Sequence, residues 1–372
     1  MKLTIERAAL LKTLAHVQSV VERRNTIPIL SNVLVDAGNG ELALTATDMD
    51  LTIVETVAAE VATAGATTAP AHTLYDIVRK LPEGAQVEIS SSGDGAQLTV
   101  KAGRSVFTLA TLPKEDFPTT GEVDLPHEFR LASLELRNLI DRTRFAISTE
   151  ETRYYLNGIY VHASEADGVP CLRAVATDGH RLARFEMPLP EGASGLPGVI
   201  VPRKAVAELR KLIEETEDPI AVSLSDTKVR FAFGKTVLTS KLIDGTFPDY
   251  ERVIPSGNDK VVEVDCQAFA QAVDRVSTIS SEKSRAVKLV IENGNITLSA
   301  SSPENGTATE EIEINYGGPG IEIGFNSRYL LDIAQQIEGE AAEITLADGA
   351  SPTIVRDRAD PSALYVLMPM RV

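Results

Sequence analysis

Cysteine is scarce in this chain of 372 residues, which contains only Cys171 and Cys266. Two cysteines are too few for a disulfide framework or a zinc cage, and they fit a reducing cytosol. Long hydrophobic runs are absent too, because no stretch approaches the roughly eighteen uncharged apolar residues of a spanning helix. Glu6, Arg7 and Lys12 interrupt the first segment, so we expect no secretion signal. The chain is therefore expected to be soluble and cytoplasmic.

Positive charge is also in short supply. Lys and Arg number 36 against 53 Asp and Glu, which gives a net charge of −17 at pH 7. This balance argues against an ordinary tight nucleic-acid binder, because such proteins carry a basic field. An apolar fraction of 43% with 24% charged residues is typical of globular protein, and the length indicates two or three domains.

Motifs for catalysis are few. The chain has neither a Walker-type phosphate loop nor a dinucleotide-binding glycine pattern. An acid and an imidazole lie close together in Thr177–Arg181, but hydrolysis would need a nucleophile or a metal beside them. No metal-ligand spacing links the other histidines, which are His16, His72, His127 and His162. An enzyme is the main rival class, yet a turn closing a strand is the better interpretation of Asp178 and Gly179.

A threefold internal repeat is the most informative feature of the sequence. Three segments, starting at Leu3, Phe129 and Val262, each pass from a short strand into an amphipathic helix. Later landmarks recur in the same order, and they align Ala46 with Ala176 and Ala300. Chance similarity would not keep that order, so the chain is predicted to hold three related domains. Generic α+β repeats in a scaffold without any nucleic-acid role are the alternative.

Each third also divides into two similar halves. In the first third, apolar residues alternate with polar ones at Leu42, Leu44 and Ala46, which is typical of half-buried strands. A stripe at helical spacing precedes them, formed by Leu10, Leu11, Leu14 and Val17. The fold class is therefore α+β, with two helices packed on antiparallel sheets in each repeat. Turn-rich linkers near 119–128 and 254–260 predict domains over 1–122, 128–254 and 260–372.

The six predicted helix windows are mildly basic, whereas the remaining chain is strongly acidic. The windows are 6–16, 74–81, 133–147, 203–215, 267–279 and 326–338. Two explanations account for this bias equally well. The basic residues can lie on solvated helix faces, or the helices can share one surface that faces a polyanion. Twelve helices, six from each of two chains, would line a ring of about 120 Å circumference and leave a hole of roughly 28 Å. Such a hole admits duplex DNA, and a closed ring retains DNA without strong phosphate contacts.

Several segments together carry a resemblance to a known family. They are TIPIL at 26–30, RYYLNG at 153–158, ATDGHRLA at 176–183, IVPRK at 200–204, SKLIDGTFPDYERVIP at 240–255 and the final YVLMPMRV. Over essentially its whole length the chain resembles the beta subunit of bacterial DNA polymerase III, the sliding clamp. The resemblance implies a DNA-clamp fold of three domains, a head-to-tail homodimeric ring around double-stranded DNA, and a processivity factor with no catalytic activity and no cofactor.

The family's partner pocket implies a groove for short, largely hydrophobic peptides. The implied partners are the replicative polymerase alpha subunit, the clamp loader, and other polymerases and repair proteins. The matching positions are Leu156, Thr177, Gly179, His180, Arg181, Leu182, Pro248, Val253, Val366, Met368, Pro369, Met370 and Arg371. Apolar side chains suit such a groove, and methionine adapts to differing ligands. Core filling is the alternative for the two methionines.

The resemblance also implies DNA contacts. The matching positions are Arg24, Tyr154, Tyr155, Arg203 and Lys204. Arginine can bind phosphate, and tyrosine can donate a hydroxyl or stack, although a strand with a core tyrosine is the alternative for RYYLNG. The chain departs from the family at Glu150, where a carboxylate should weaken phosphate contact, and at His72 and Thr73, which replace a basic pair.

The ring interface is implied at an edge strand. Phe107 and Leu109 of the first repeat would face Thr278 and Ile279 of the third repeat in the partner chain. Pairing two exposed edges would join them into a continuous sheet. Thr278 replaces an apolar residue, so the interface is expected to be less hydrophobic, and simple core packing is the alternative for Phe107 and Leu109.

Overall fold

The computed structural model describes residues 1–93, 95–118, 121, 123–281 and 285–372. The described chain contains three repeats, and each repeat consists of two halves with the order strand, helix, three strands. This order confirms the predicted α+β repeat with two helices in each third. Three of the residues in the predicted linker at 119–128, namely 119, 120 and 122, lie outside the described residues.

The element bounds follow the repeat. The first repeat contains β1 Lys2–Glu6, α1 Arg7–Gln18, β2 Asn32–Gly38, β3 Glu41–Thr47, β4 Leu51–Ala58, an extra strand β5 Glu60–Thr63, β6 Gly65–Pro70, α2 Ala71–Lys80, β7 Gln86–Ser91, β8 Gln97–Ala102 and β9 Ser105–Ala110. The second contains β10 His127–Leu131, α3 Ser133–Asp141, β11 Gly158–Ala166, β12 Val169–Thr177, β13 Arg181–Pro188, β14 Val199–Pro202, α4 Arg203–Leu212, β15 Ile220–Leu224, β16 Lys228–Phe233 and β17 Thr236–Lys241. The third contains β18 Lys260–Asp265, α5 Cys266–Ser277, β19 Ala286–Glu292, β20 Asn295–Ser302, β21 Gly306–Glu313, β22 Ile321–Asn326, α6 Ser327–Ala334, β23 Ala341–Leu346, β24 Thr353–Asp357 and β25 Ala363–Leu367.

The two halves of each repeat exchange their first strands. In the first repeat β1 pairs with β7 of the second half, while β6 pairs with β2 of the first half. The same exchange joins β10 to β15 and β14 to β11, and then β18 to β23 and β22 to β19. Because neither half completes its own sheet, the halves fold as one domain.

Sheets also continue from one repeat into the next. Strand β4 pairs with β17, and β13 pairs with β25, which gives two eight-stranded sheets in the described chain. The chain accordingly divides into two compact units. The first comprises Met1–Arg137, Pro190–Ala193 and Lys204–Leu242, and the second comprises Asn138–Leu189, Ser194–Arg203 and Ile243–Val372.

The apolar patterns place the core largely where the sequence predicts it. Leu42, Leu44 and Ala46 are fully buried on alternate positions of β3. In α1 the buried stripe contains Leu10, Leu14 and Val17, but Leu11 is only half-buried, and Thr13 completes the stripe instead. Thr13 is accommodated because its hydroxyl donates to the Ala9 carbonyl oxygen one turn earlier.

Three helices end at least three residues earlier than predicted. The predicted window 133–147 stops at Asp141, because the Thr143 amide donates to Ile140, three residues back, and tightens the chain into a 3-10 turn at Arg144–Ala146. Helix α4 ends at Leu212 and α6 at Ala334, against predicted ends at 215 and 338. After α6, the amides of Glu338 and Gly339 both donate to Asp357 rather than to the helix.

The six helices of the described chain are mildly basic. They carry eleven Lys or Arg against six Asp or Glu, a net charge of +5. Several of the cations are paired locally, for example Lys12 with Glu215 and Lys211 with Glu208. The helices therefore present a weak positive field within a chain of net charge −17, as the predicted windows indicate.

Candidate functional site

Two neighbouring strands of the second unit bring the predicted pocket segments together. Strands β13 and β25 are antiparallel, with Leu182 opposite Val366. Beyond the end of β25, the Met368 amide donates to the His180 carbonyl oxygen at 2.9 Å. The C-terminal segment therefore lies beside the turn Thr177–Arg181, although nearly two hundred residues separate them in the sequence.

The predicted pocket positions fall into a buried group and an exposed group. Leu156, Leu182 and Val366 are buried and belong to one apolar cluster with Val175, Ile200, Phe247, Tyr250, Ile354 and Leu364. The exposed members are Gly179, His180, Pro248, Val253, Met368 and Arg371, while Thr177, Pro369 and Met370 are half-buried. An apolar floor bordered by exposed Met, Val and Pro side chains can bury a hydrophobic peptide side chain.

The turn Thr177–Arg181 is held by its own side chains. The Asp178 carboxylate accepts from the amides of His180 and Arg181, at 2.9 and 3.0 Å. The Thr177 hydroxyl donates to the Arg181 carbonyl oxygen at 2.7 Å and accepts from the Gly179 amide. Gly179 has a φ of 87°, a left-handed conformation that glycine adopts without strain. Asp178 thus stabilises a turn, and its carboxylate does not hydrogen-bond the His180 ring among the described residues.

Arg181 supports this turn from inside the fold. Its side chain is only 9% exposed, and its guanidinium donates to Asp178, Asp332 and the Phe145 carbonyl oxygen. The guanidinium also lies over the Tyr329 ring, 4.3 Å from the ring centroid. Burial raises the pKa of Tyr329. Among the predicted pocket residues, Arg181 is therefore the one whose charge is already fully engaged within the protein.

An aromatic stack fixes the segment that carries Pro248 and Val253. The Phe247 ring stacks on Tyr160 with centroids 4.8 Å apart, and Tyr160 stacks on His162 at 4.7 Å. The Tyr250 hydroxyl lies 2.9 Å from His162 Nε2. These aromatic side chains anchor the two exposed pocket residues on either side of Tyr250.

A buried arginine completes this anchor. Arg173 donates to the Tyr250 hydroxyl, to Glu251 and to Glu186. Burial disfavours its charge, but the hydrogen bond to Tyr250 and the neighbouring carboxylates outweigh burial and raise the pKa of Arg173. Burial likewise raises the pKa of Tyr250. Sequence reasoning missed this group, although Tyr160 and His162 have the period-2 spacing of one strand face.

His162 predicts a specific loss of stability in acid. Burial lowers its pKa, so the folded protein resists protonation that the unfolded chain accepts below about pH 6.5. In that window the unfolded state binds more protons, and stability therefore falls as the pH is lowered. We expect His162→Gln to remove this part of the pH dependence in denaturant titrations from pH 7.5 to 5.5. His180→Gln is the matched control because His180 is exposed, and an unchanged slope in His162→Gln would contradict the assignment.

The predicted DNA-contact residues of the first unit differ in whether their charges already have ion-pair partners. Arg24 is exposed in the loop after α1 and forms no ion pair with any residue that the structure describes. Lys204, by contrast, bonds Asp48 and Glu22. Burial opposes its charge, but these carboxylates outweigh burial and raise the pKa of Lys204. Phosphate contact at Lys204 stays a prediction and would have to compete with both pairs.

In the second unit, the predicted tyrosines occupy a 3-10 turn, Glu151–Leu156, rather than a strand. Tyr154 is 53% exposed, whereas Tyr155 is half-buried and packs on the apolar cluster that contains Leu156. Arg203, the first residue of α4, is also exposed. Tyr154 and Arg203 are thus accessible to a ligand, while Tyr155 also serves the fold.

Each of the three residues that depart from the family either has a hydrogen-bond partner nearby or is exposed. Glu150 pairs with Arg153 at 2.7 Å, and this hydrogen bond holds the pKa of the Glu150 carboxyl below its usual range. The same guanidinium donates to the Asp178 carbonyl oxygen at 3.0 Å. His72 contacts the Val21 carbonyl oxygen through Nε2 at 2.8 Å, and Thr73 is exposed. The negative charge of Glu150 is therefore offset by a neighbouring cation.

Two of the eight terminal strands in the described sheets, β9 and β21, lie beside the predicted interface residues. Strand β9, which carries the half-buried Phe107 and Leu109, is the last strand of its five-stranded sheet. Strand β21 is the last strand of a four-stranded sheet and contacts α5, and the exposed Thr278 and the half-buried Ile279 directly follow that helix. Each edge offers unpaired backbone groups to a further strand.

The described part of the chain holds neither a metal-type cluster of side chains nor a membrane-type helix. No group of three or more His, Cys, Asp or Glu side chains within residues 1–93, 95–118, 121, 123–281 and 285–372 could hold a metal ion. No helix of those residues has the length and apolar character that crossing a membrane requires.

Comparison with known proteins identifies one family along the whole chain. Models of the DNA polymerase III beta subunit match residues 1–121 as the N-terminal domain, 130–249 as the central domain and 251–371 as the C-terminal domain. The beta sliding clamp of Caulobacter vibrioides (strain NA1000 / CB15N) is 59% identical over 372 residues, which is 100% of both chains.

Solved structures agree as well. A sliding clamp from Bartonella birtlesii, bound to griselimycin, matches with a TM-score of 0.97 and 51% identity over 100% of both chains. A beta sliding clamp from C. crescentus matches with a TM-score of 0.98 and 59% identity, over 100% of this chain and 99% of that one.

The repeated strand–helix–three-strand halves therefore form the three-domain sliding-clamp fold, which defines the class of protein. More particularly, the chain belongs to the DNA polymerase III beta subunit family. It is a processivity clamp rather than a catalytic subunit, and it encircles DNA and binds the polymerase and other proteins.

Proposed function

We propose that two copies of this chain, with domains over 1–122, 128–254 and 260–372, close head to tail into a ring around duplex DNA in the cytoplasm. The charges beside the two open strand edges support this pairing. Arg104 lies in the turn before β9 and Lys101 on the neighbouring β8, whereas β21 carries Glu311 and Glu313 besides Glu310, which pairs with Arg275. Opposite charges favour contact between β9 of one chain and β21 of its partner, with Phe107 and Leu109 against Thr278 and Ile279.

The pocket of the second unit is proposed to receive short hydrophobic segments of several partners. These are the replicative polymerase alpha subunit, the clamp loader, and other polymerases and repair proteins. The observation that carries this proposal is the buried floor of Leu156, Leu182 and Val366 beside the exposed side chains of Met368 and Val253. We further propose that the pocket takes griselimycin, which is bound to the Bartonella birtlesii clamp.

DNA inside the ring is proposed to meet Arg24, Arg203 and Tyr154, with Tyr155 and Lys204 in supporting positions. The first three side chains are exposed, and guanidinium and hydroxyl groups both bind phosphate. The weak net positive charge of the helices fits sliding, because many tight phosphate contacts would hold the protein in place.

Ring closure predicts both the mass and the mode of DNA retention. Light scattering should give twice the 40.0 kDa chain mass, and the loaded protein should stay on circular DNA but leave linear DNA through its ends. Leu109→Asp should shift the mass towards 40.0 kDa, because the new carboxylate would lie against the acidic β21 edge.

Leu134→Asp is the matched control for this test, because Leu134 is exposed on α3 and belongs to neither strand edge. The control should keep the mass of two chains. A persistent mass of one chain in the unsubstituted protein, or equal retention on linear and circular DNA, would contradict the closed ring.

A further inference from the structure

The chain builds the turn of the peptide pocket a second time, in the first unit. This first turn, Thr47–Leu51, joins β3 to β4 and aligns with Thr177–Arg181 in the sequence repeat. The Asp48 carboxylate accepts from the amides of Asp50 and Leu51, at 3.0 and 2.7 Å. The Thr47 hydroxyl donates to the Leu51 carbonyl oxygen and accepts from the Met49 amide, both at 3.1 Å.

These four hydrogen bonds are the same as those of the pocket turn, donor for donor. The backbone conformation matches too, since Met49 has a φ of 79° and Gly179 a φ of 87°. A non-glycine residue in this left-handed conformation is uncommon. The shared hydrogen bonds therefore impose one backbone geometry on two different sequences.

The neighbouring strand is repeated as well. The Lys241 amide donates to the Asp50 carbonyl oxygen at 2.8 Å, as the Met368 amide does to His180 at 2.9 Å. Register places Thr239 of β17 opposite Thr52 of β4, as Val366 is opposite Leu182. The first unit therefore repeats the backbone frame, meaning both the turn and the adjoining strand, on which the peptide-facing side of the second unit's pocket is built.

Side chains distinguish the two frames. The pocket frame has Gly179, Leu182, Val366 and Met368 where the first frame has Met49, Thr52, Thr239 and Lys241. Thr52 is buried, with its hydroxyl 2.8 Å from that of Thr47. A floor of two threonines offers a hydrophobic side chain less apolar surface to cover than Leu182 and Val366 do.

Charges also occupy the first frame. Lys241 pairs with Asp50 at 2.9 Å, and Lys204 pairs with Asp48. A hydrophobic peptide at this position would have to desolvate these groups without replacing their partners, which costs free energy. The pocket frame presents the thioether of Met368 and no ammonium at the corresponding position.

We propose that four positions on a backbone frame built twice determine where a hydrophobic peptide binds. Gly179, Leu182, Val366 and Met368 make the second unit's frame a peptide site, and Met49, Thr52, Thr239 and Lys241 close the first unit's frame. Each chain consequently binds one peptide rather than two. This inference rests on the proposed peptide pocket.

A stoichiometry titration tests the inference. The probe is a fluorescein-labelled synthetic hexapeptide with two leucines and one phenylalanine, titrated into the full-length protein at protein concentrations well above the dissociation constant. The unsubstituted protein should bind one peptide per chain. The variant Met49→Gly, Thr52→Leu, Thr239→Val, Lys241→Met should bind two, and deletion of Met368 to Val372 from that variant should leave one.

The outcomes separate the inference from the proposed pocket. Absence of binding to the unsubstituted protein contradicts the pocket itself. One peptide per chain in both proteins, with an unchanged melting temperature, overturns the inference, as do two peptides in the unsubstituted protein. If the fourfold variant does not fold, Met49→Gly with Lys241→Met decides, because both side chains are exposed. In this double variant the dissociation constant for a second peptide should be at least tenfold lower than in the unsubstituted protein. An unchanged dissociation constant for the second peptide overturns the inference.

Discussion

Removal of Met368 to Val372 should weaken binding of a hydrophobic peptide by roughly 100-fold, because the segment supplies two methionine side chains and a proline to the pocket. Burying a methionine side chain contributes about 1.5–3 kcal/mol, and a factor of ten in affinity corresponds to about 1.4 kcal/mol. Partial burial of both side chains against a peptide therefore suffices for the expected loss. Fluorescence anisotropy with the labelled hexapeptide measures it.

The same truncation should leave the fold and the chain association largely intact. Met368 is 37% exposed, and the segment contributes few backbone hydrogen bonds, among them Met370 N–H to the Gly324 carbonyl oxygen. We expect a loss of about 1–2 kcal/mol in the free energy of unfolding, and an unchanged mass by light scattering. Deletion of Arg371 and Val372 alone is the control, since it keeps both methionines. Unfolding of the truncated chain would make the segment part of the core and contradict its assignment to a pocket.

The repeat architecture could be predicted because its signals are local. Alternation at Leu42, Leu44 and Ala46 and the spacing of Leu10, Leu14 and Val17 each report a single element and the face that it buries. Three copies of each landmark made the order of elements unambiguous. The exchange of first strands between halves had no such signal, since it depends on which of two similar sheets each strand joins.

The candidate site was predicted less completely. The resemblance supplied the pocket positions, but it did not indicate that Leu156, Leu182 and Val366 form a buried floor. It also gave no indication that Arg181 is fully engaged by Asp332 and Asp178. Ion pairs between residues far apart in sequence depend on tertiary packing, and no periodic pattern records them. The anchor made by Arg173 and Tyr250 was missed for the same reason.

The matching turns at Thr47–Leu51 and Thr177–Arg181 show why a repeat does not imply a repeated function. In both turns a Thr hydroxyl donates to a backbone carbonyl and an Asp carboxylate accepts from backbone amides, and these hydrogen bonds preserve the backbone shape through the repeat. Function depends on the side chains that project from this backbone. Aligning the repeats in the sequence is enough to relate the two turns. The strands that pair beside each turn can be identified only in the folded structure.

Replacement of Arg181 by alanine should lower the free energy of unfolding by about 3 kcal/mol. The substitution removes a buried cation and leaves the partly buried carboxylates of Asp178 and Asp332 without their common partner. It also removes the contact with the Tyr329 ring and the hydrogen bond to the Phe145 carbonyl oxygen. Urea denaturation of the purified protein measures the loss, and peptide affinity should fall with it because the pocket turn loses its support.

An exposed ion pair provides the matched control for this prediction. Arg252 pairs with Asp249 at 2.7 Å, but the two side chains are 85% and 58% exposed. Solvent screens such a pair, so Arg252→Ala should change the free energy of unfolding by less than about 0.5 kcal/mol. A loss in Arg181→Ala no larger than this control would mean that water replaces the guanidinium at both carboxylates. The turn would then be held by Thr177 and the Asp178 hydrogen bonds to the backbone alone, as its counterpart in the first unit is held without an arginine.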